Sequence, residues 1–141
     1  MLKESEEKYR TLVEESLQGI LVAQGQPPRI VFANEAFAKT LGYSTEEITS
    51  MSPQQVAGLV YPEDRKIFFE RYTQRMFGQQ RDSTFDFRGI RKDGTVHWLK
   101  VSSNLILYHG EPAVQGMFLD IDSDKKASEN TQKNEGRYRE L

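Results

Sequence analysis

The sequence predicts an α+β fold: a five-stranded antiparallel sheet with short helices on one face, plus flanking N-terminal and C-terminal helices. Three observations carry this. Two short apolar runs, Ile20-Leu21-Val22-Ala23 and Arg29-Ile30-Val31-Phe32-Ala33, are separated by Gly25-Gln26-Pro27-Pro28, the pattern of a hairpin. Short helical segments follow, punctuated by Asn, Ser, Pro and Gly. From Ser83 the hydrophobic period changes to two, over three further strands.

Each element has its own reason. Residues 1–17 put Leu2, Tyr9, Leu12, Val13 and Leu17 on one stripe of an amphipathic helix. Such a helix lies on its own domain or docks on a partner, and the outer sheet face, with Trp98 and Val114 or its neighbours, is the expected contact. Both runs of the hairpin are apolar at consecutive positions, so each strand is expected to be covered on two faces. Asn34 is a good N-cap for Glu35-Ala36-Phe37-Ala38-Lys39-Thr40-Leu41, which Gly42 closes. Ser44 and Glu47 form a capping box for a short helix over 45–48. A polar stretch over 49–55 leads into Val56-Ala57-Gly58-Leu59-Val60. Pro62 then opens a longer helix to Gly78, with Glu63 and Asp64 near its positive end. That helix places Phe68 or Phe69, Tyr72 and Met76 on one face.

In the second half, Phe85, Phe87 and Gly89 alternate with Asp86, Arg88 and Ile90. Lys92-Asp93-Gly94 supplies a tight turn. Over 95–107, Leu99, Val101, Ser103 and Leu105 face one way, and Trp98, Lys100, Ser102 and Asn104 the other. His109-Gly110 turns the chain into a last strand over 112–122. Beyond Asp122 the sequence is charged and polar and reads as an exit helix or linker. Its seam of Ala127, Thr131, Asn134, Tyr138 and Leu141 would pair weakly, being partly polar. The pattern Glu-x-basic-Tyr-Arg-x-Leu at 6–12 recurs at 135–141, as expected if a second repeat begins there.

Composition narrows the function. The 141 residues make one domain's worth of chain. With no cysteine, thiol nucleophiles, Cys-ligated zinc, iron–sulfur clusters and cysteinyl adducts are excluded. A net charge of −2 gives no global electrostatic reason to expect nucleic acid. No apolar run approaches the ~20 residues needed to span a bilayer, and no signal-peptide pattern opens the chain. A soluble, cytoplasmic domain without direct membrane contact is expected.

These residues resemble a PAS domain, the sensory module of bacterial and archaeal signalling proteins. Ile30-Val31-Phe32-Ala33-Asn34-Glu35-Ala36-Phe37 with Leu41-Gly42-Tyr43-Ser44-Thr45-Glu46-Glu47-Ile48 is similar to the family's strand–Asn–helix–Gly-Tyr-Ser–Glu-Glu signature. Tyr61-Pro62-Glu63-Asp64-Arg65 looks like its His-Pro-Glu-Asp-Arg element, with Tyr in the His place. Asp86-Phe87-Arg88, Arg91-Lys92-Asp93-Gly94 and Trp98 match the paired strands. Asp120-Ile121-Asp122 matches the closing Asp-Ile-Thr, with Asp122 in the Thr place. The resemblance implies a sensory unit over 18–122, between a leading helix over 1–17 and an exit segment over 123–141. It further implies a parent sensor histidine kinase of a two-component phosphorelay. A diguanylate cyclase or transcription regulator could carry the same module.

The family's cofactor-bearing branches find little purchase. Met51-Ser52-Pro53-Gln54 lacks the adduct-forming Cys of the blue-light flavin branch, and Gly89, Leu99 and Phe118 stand where that branch uses Asn and Gln. No His lies between Asp64 and Phe77, where the haem branch carries its ligand. No cofactor is therefore predicted, and an unknown small ligand stays open. His97 on a strand and His109 in a turn lack metal-ligand spacing, and no catalytic residues are expected. Candidate pocket residues between sheet and long helix are Val22, Phe32, Val56, Phe68, Tyr72, Phe85, Phe87, Leu99, Val101 and Phe118. They either line a small, mainly apolar cavity or simply fill the core. Tyr72, Ser103 and Gln115 are the candidate polar contacts. Asp120 and Asp122, where the last strand becomes the exit helix, are the candidate transmission residues. Homodimerisation through Leu2, Tyr9, Leu12, Val13 and Trp98 is expected, with adjacent PAS or kinase domains as neighbours in the parent chain. A rival reading, an isomerase-like enzyme on a similar scaffold, requires Asp86 or Asp120 to face the cavity.

Overall fold

The computed structural model describes residues 18–79, 84–123 and 125. Five antiparallel strands form one sheet: β1 (Gly19–Gln24), β2 (Arg29–Ala33), β3 (Thr84–Ile90), β4 (Val96–Tyr108) and β5 (Glu111–Asp120). Their spatial order is β2-β1-β5-β4-β3. The first and last strands of the chain thus meet at the centre. Between β2 and β3 run α1 (Glu35–Leu41), α2 (Thr45–Thr49), α3 (Pro53–Ala57), a 3₁₀ turn (Pro62–Asp64) and α4 (Arg65–Met76).

Local chemistry sets each boundary. The Asn34 side chain accepts from Phe37 N–H, and Gly42 closes α1 at φ 81°, a left-handed conformation that glycine adopts without a Cβ penalty. Ser44 and Glu47 make the expected capping box. Helix α3 forms where the sequence predicts a polar stretch. Ser52 accepts from Gln55 N–H, and the Gln55 side chain accepts from Ser52 N–H, so the same box signal starts a second short helix. The expected long helix begins as a 3₁₀ turn before α4. His109 (φ 51°) and Gly110 (φ 79°) form the β4–β5 turn, the two positive φ values that a two-residue hairpin with matching twist requires. Strand β5 ends at Asp120, and Lys125 N–H donates to Ile121 O at 2.8 Å, so Asp122 belongs to the next turn.

The core lies between the inner sheet face and the helices. Phe37, Leu41, Ile48, Val56, Phe87, Leu99 and Phe118 are all buried there. On the opposite sheet face Ile20, Val22 and Ala113 are also buried, in keeping with apolar strands covered twice. The leading helix over 1–17 and the chain beyond Lys125 lie outside the described residues.

Strand β3 is a sheet edge, where unpaired backbone groups invite association. The segment before α4 closes it. Ile90 N–H donates to Leu59 O and Tyr61 N–H to Arg88 O. Asp64 completes the set, accepting from Arg88 N–H at 2.8 Å and from the Arg88 guanidinium at 2.8 and 3.1 Å. The guanidinium bonds hold the Asp64 carboxyl below the usual carboxylate range, with partial burial opposing and the backbone N–H assisting. A carboxyl depressed in the folded state adds stability above its unfolded pKa of about 4, and that stability is lost as pH falls below it. Asp64→Asn should therefore lower the thermal midpoint at pH 7 and leave a shallower loss towards pH 3, as read by circular dichroism. Equal acid limbs in both proteins would remove this account of the edge.

Candidate functional site

Alternation along the strands decides which side chains meet the helices. Leu21 and Ala23 of β1, Phe85 and Phe87 of β3, Leu99, Val101 and Ser103 of β4, and Val114, Gly116 and Phe118 of β5 point inward. With Phe37 and Leu41 of α1, Val56 of α3 and Phe68, Phe69 and Tyr72 of α4, they line a cavity of about 80 Å³. Its wall is a network of rings. Phe68 lies 4.6 Å from Phe87 and 5.2 Å from Phe69, and Phe118 lies 4.9 Å from Phe37. Such edge-to-face and tilted pairs hold one another's orientation. A Cβ on Gly116 would stand 2.7 Å from the Phe118 ring, so glycine there lets the ring lie against the sheet.

Few polar groups reach the cavity. Ser103 lies on its wall. The Tyr72 hydroxyl donates to Gly25 O at 2.8 Å, tying α4 to the β1–β2 turn, and burial pushes its pKa up to about 12. It is a neutral donor already in use. Arg71 stands at the wall with its guanidinium 4.6 Å over the Phe85 ring. The arrangement suits a small apolar occupant.

The cavity thus brings together Val56, Phe68, Tyr72, Phe85, Phe87, Leu99, Val101 and Phe118, as well as Ser103. Val22 and Phe32 are corrections. They pair with each other across β1 and β2 and point to the outer face, where Gln115 also lies opposite Val22. Consecutive apolar residues carry no period, so the run could not show which phase faces the helices. Sequence reasoning missed Leu21 and Ala23 for the same reason, and Arg71 because a charged helix residue gives no inward signal. Asp86 and Asp120 are not among the residues around the cavity, so the carboxylate an isomerase would need is not supplied by either.

A second cluster forms where β5 ends. Asp122 Oδ1 accepts from Trp98 N–H at 3.2 Å, and Asp120 Oδ1 accepts from Asp122 N–H at 2.9 Å. Ile121 N–H donates to Trp98 O at 3.0 Å. The turn leaving the sheet is thereby held against β4. Trp98 lies on the outer face as expected, with its ring flanked by cations, Lys125 at 4.8 Å and Arg88 at 5.3 Å, whereas Val114 is a correction: it pairs with Ala23 and points inward to the cavity wall. Lys125 also pairs with Asp86 at 3.0 Å. Among the described residues no helix is long and apolar enough to cross a membrane. Leu2, Tyr9, Leu12 and Val13 lie outside the described residues.

Comparison with known proteins identifies the family. The sequence family described as the PAS fold matches residues 30–117. The methyl sulfide methyltransferase-associated sensor of Methanosarcina acetivorans is 27% identical over 126 residues, covering 89% of this chain and 12% of that protein. The sensor histidine kinase TmoS of Ectopseudomonas mendocina is 25% identical over 131 residues, covering 92% of this chain and 13% of that one. The crystal structure of a PAS domain from Colwellia psychrerythraea superposes with a TM-score of 0.68 at 19% identity, covering 84% of this chain and 98% of that one. The chain spans about an eighth of the length of the curated relatives it matches.

Proposed function

Since the chain belongs to the PAS-fold family, whose domains are sensory and non-catalytic modules, we propose that it senses a small apolar ligand for a larger signalling protein. That parent is a sensor histidine kinase of a two-component phosphorelay in this reading, as the resemblance to TmoS favours, and it works in the cytoplasm. The observation that carries the proposal is the apolar cavity of about 80 Å³ between sheet and α4. Its wall residue Phe118 sits two positions before Asp120. An occupant that displaces the Phe118 ring strains β5, and that strain reaches the Asp120–Asp122 turn and the helix beyond it. A helix pair of marginal stability responds to a bias of a few kcal/mol. The module acts as a homodimer through residues 1–17 and the outer sheet face, which light scattering with and without residues 1–17 tests.

Xenon is a suitable probe, because dry apolar cavities take it up. Saturable xenon binding, read by ¹²⁹Xe NMR, is expected for the chain and should be lost in Val101→Phe, which fills the space. Native mass spectrometry of the purified protein then identifies any retained ligand. If the chain takes up no xenon and carries no small molecule, ligand sensing is overturned in favour of a ligand-free dimerisation module.

A further inference from the structure

The two histidines differ sharply in setting. His109 is exposed in the β4–β5 turn. His97 stands on β4 with its Nδ1 atom buried and, among the described residues, without a hydrogen-bond partner. Buried polar atoms are rarely left so. That atom faces two carboxylates, Asp120 Oδ2 at 3.8 Å and Asp122 Oδ2 at 3.7 Å. On the other side of the ring, Nε2 lies 3.5 Å from Arg91 Nη1. A guanidinium only donates, so the neutral ring places its proton on Nδ1. The N–H then points at two carboxylates just beyond hydrogen-bond reach.

We propose that His97 is a proton-operated clasp on the turn that leaves the sheet. Protonation turns the two carboxylate contacts into ion pairs and sets the ring against Arg91. Of the charged groups around it, Asp120 and Asp122 close in, Arg91 withdraws, and Asp93, which interacts electrostatically with His97 across the β3–β4 connection, stays behind. Asp122 is the member that matters most. Its Oδ1 already holds Trp98 N–H, so fastening its Oδ2 to the imidazolium anchors the turn to β4. Loss of the proton from Nε2 leaves Nδ1–H in place but removes the charge that draws Asp122 Oδ2 in, and so loosens that second grip. The clasp adds a proton as an input to the transmission role read for Asp120 and Asp122, and it rests on that reading for its consequence but not for its chemistry.

Amide hydrogen exchange of the chain, followed by NMR between about pH 5 and pH 8, tests the chemistry directly. The protection factor of Trp98 N–H, already corrected for intrinsic exchange, is expected to rise measurably from the neutral to the acid end. The rise should vanish in His97→Gln. It should also vanish in the Asp120→Asn/Asp122→Asn double variant, which keeps the imidazole and an acceptor for Trp98 N–H but removes the charge. His109→Gln should retain it. Protection that is flat in the unmodified chain, or a rise that survives His97→Gln, overturns the clasp. Signalling output of the longer protein is read separately. A clasp present in exchange with output indifferent to Asp120→Ala and Asp122→Ala supports the clasp and overturns the transmission reading.

Discussion

Phe118→Ala is expected to destabilise the domain by roughly 3–5 kcal/mol, the range for removing a buried aromatic ring that its neighbours cannot replace. Phe118 is 6% exposed and stands between Phe37 and Phe87, at 4.9 and 5.9 Å. Those two rings are themselves held by α1 and by the β3–β4 pairing, so neither can move far into the space. The vacated volume adds to a cavity already present. Chemical denaturation reads the loss, and xenon uptake by the variant should exceed that of the unmodified chain. A loss below about 1 kcal/mol would mean that the site collapses freely and that the rings do not brace one another. The proposed route from cavity to β5 would then lose its rigid link.

Asn34→Ala should cost about 2–4 kcal/mol, far more than an ordinary N-cap substitution. Asn34 is fully buried. Its Oδ1 accepts from Phe37 N–H and from Ile20 N–H, both at 2.9 Å, and its Nδ2 donates to Gln18 O at 2.9 Å. One side chain therefore caps α1 and also supplies the partner for the start of β1, where the chain enters the sheet. Alanine leaves Ile20 N–H buried and unpaired. Asp in place of Asn keeps both acceptor contacts but loses the donor and buries a charge, so it should rescue only part of the loss. Equal stability of Asn34→Ala and the unmodified chain in guanidinium titrations would show that water replaces these contacts.

Asn34 also shows how far the sequence could be read. Its position before Glu35-Ala36-Phe37 marks a helix start, because capping is a contact across three residues. Nothing local announces that the same oxygen would serve Ile20, fourteen residues earlier. The boxes at Ser44–Glu47 and Ser52–Gln55 carry equal local signals, and Pro53 in the second is a favourable first residue, so α3 was legible. The strands over the second half show their phase because polar and apolar residues alternate there. Seven of the ten expected cavity residues follow from that alternation and from the face of α4, and α3 brings in Val56. Val22 and Phe32 do not, since a run apolar at every position looks the same in either phase, and the register shift between Val22 and Ala23 changes the phase again on β2.

What the chain's order of residues was enough to establish is the set of short-range decisions: where helices begin, which turns need glycine, and which strands alternate. The family followed from those decisions in sequence. Assembly alone settled which face of β1 meets α4, how large a space the rings leave, and that His97 stands between Asp120, Asp122 and Arg91. Short-range signals arise from contacts within a few residues, which any reader of the chain can count. The site instead depends on β1 pairing with β5 across nearly the whole chain, and the energy of that closure comes from burial, which has no local signature.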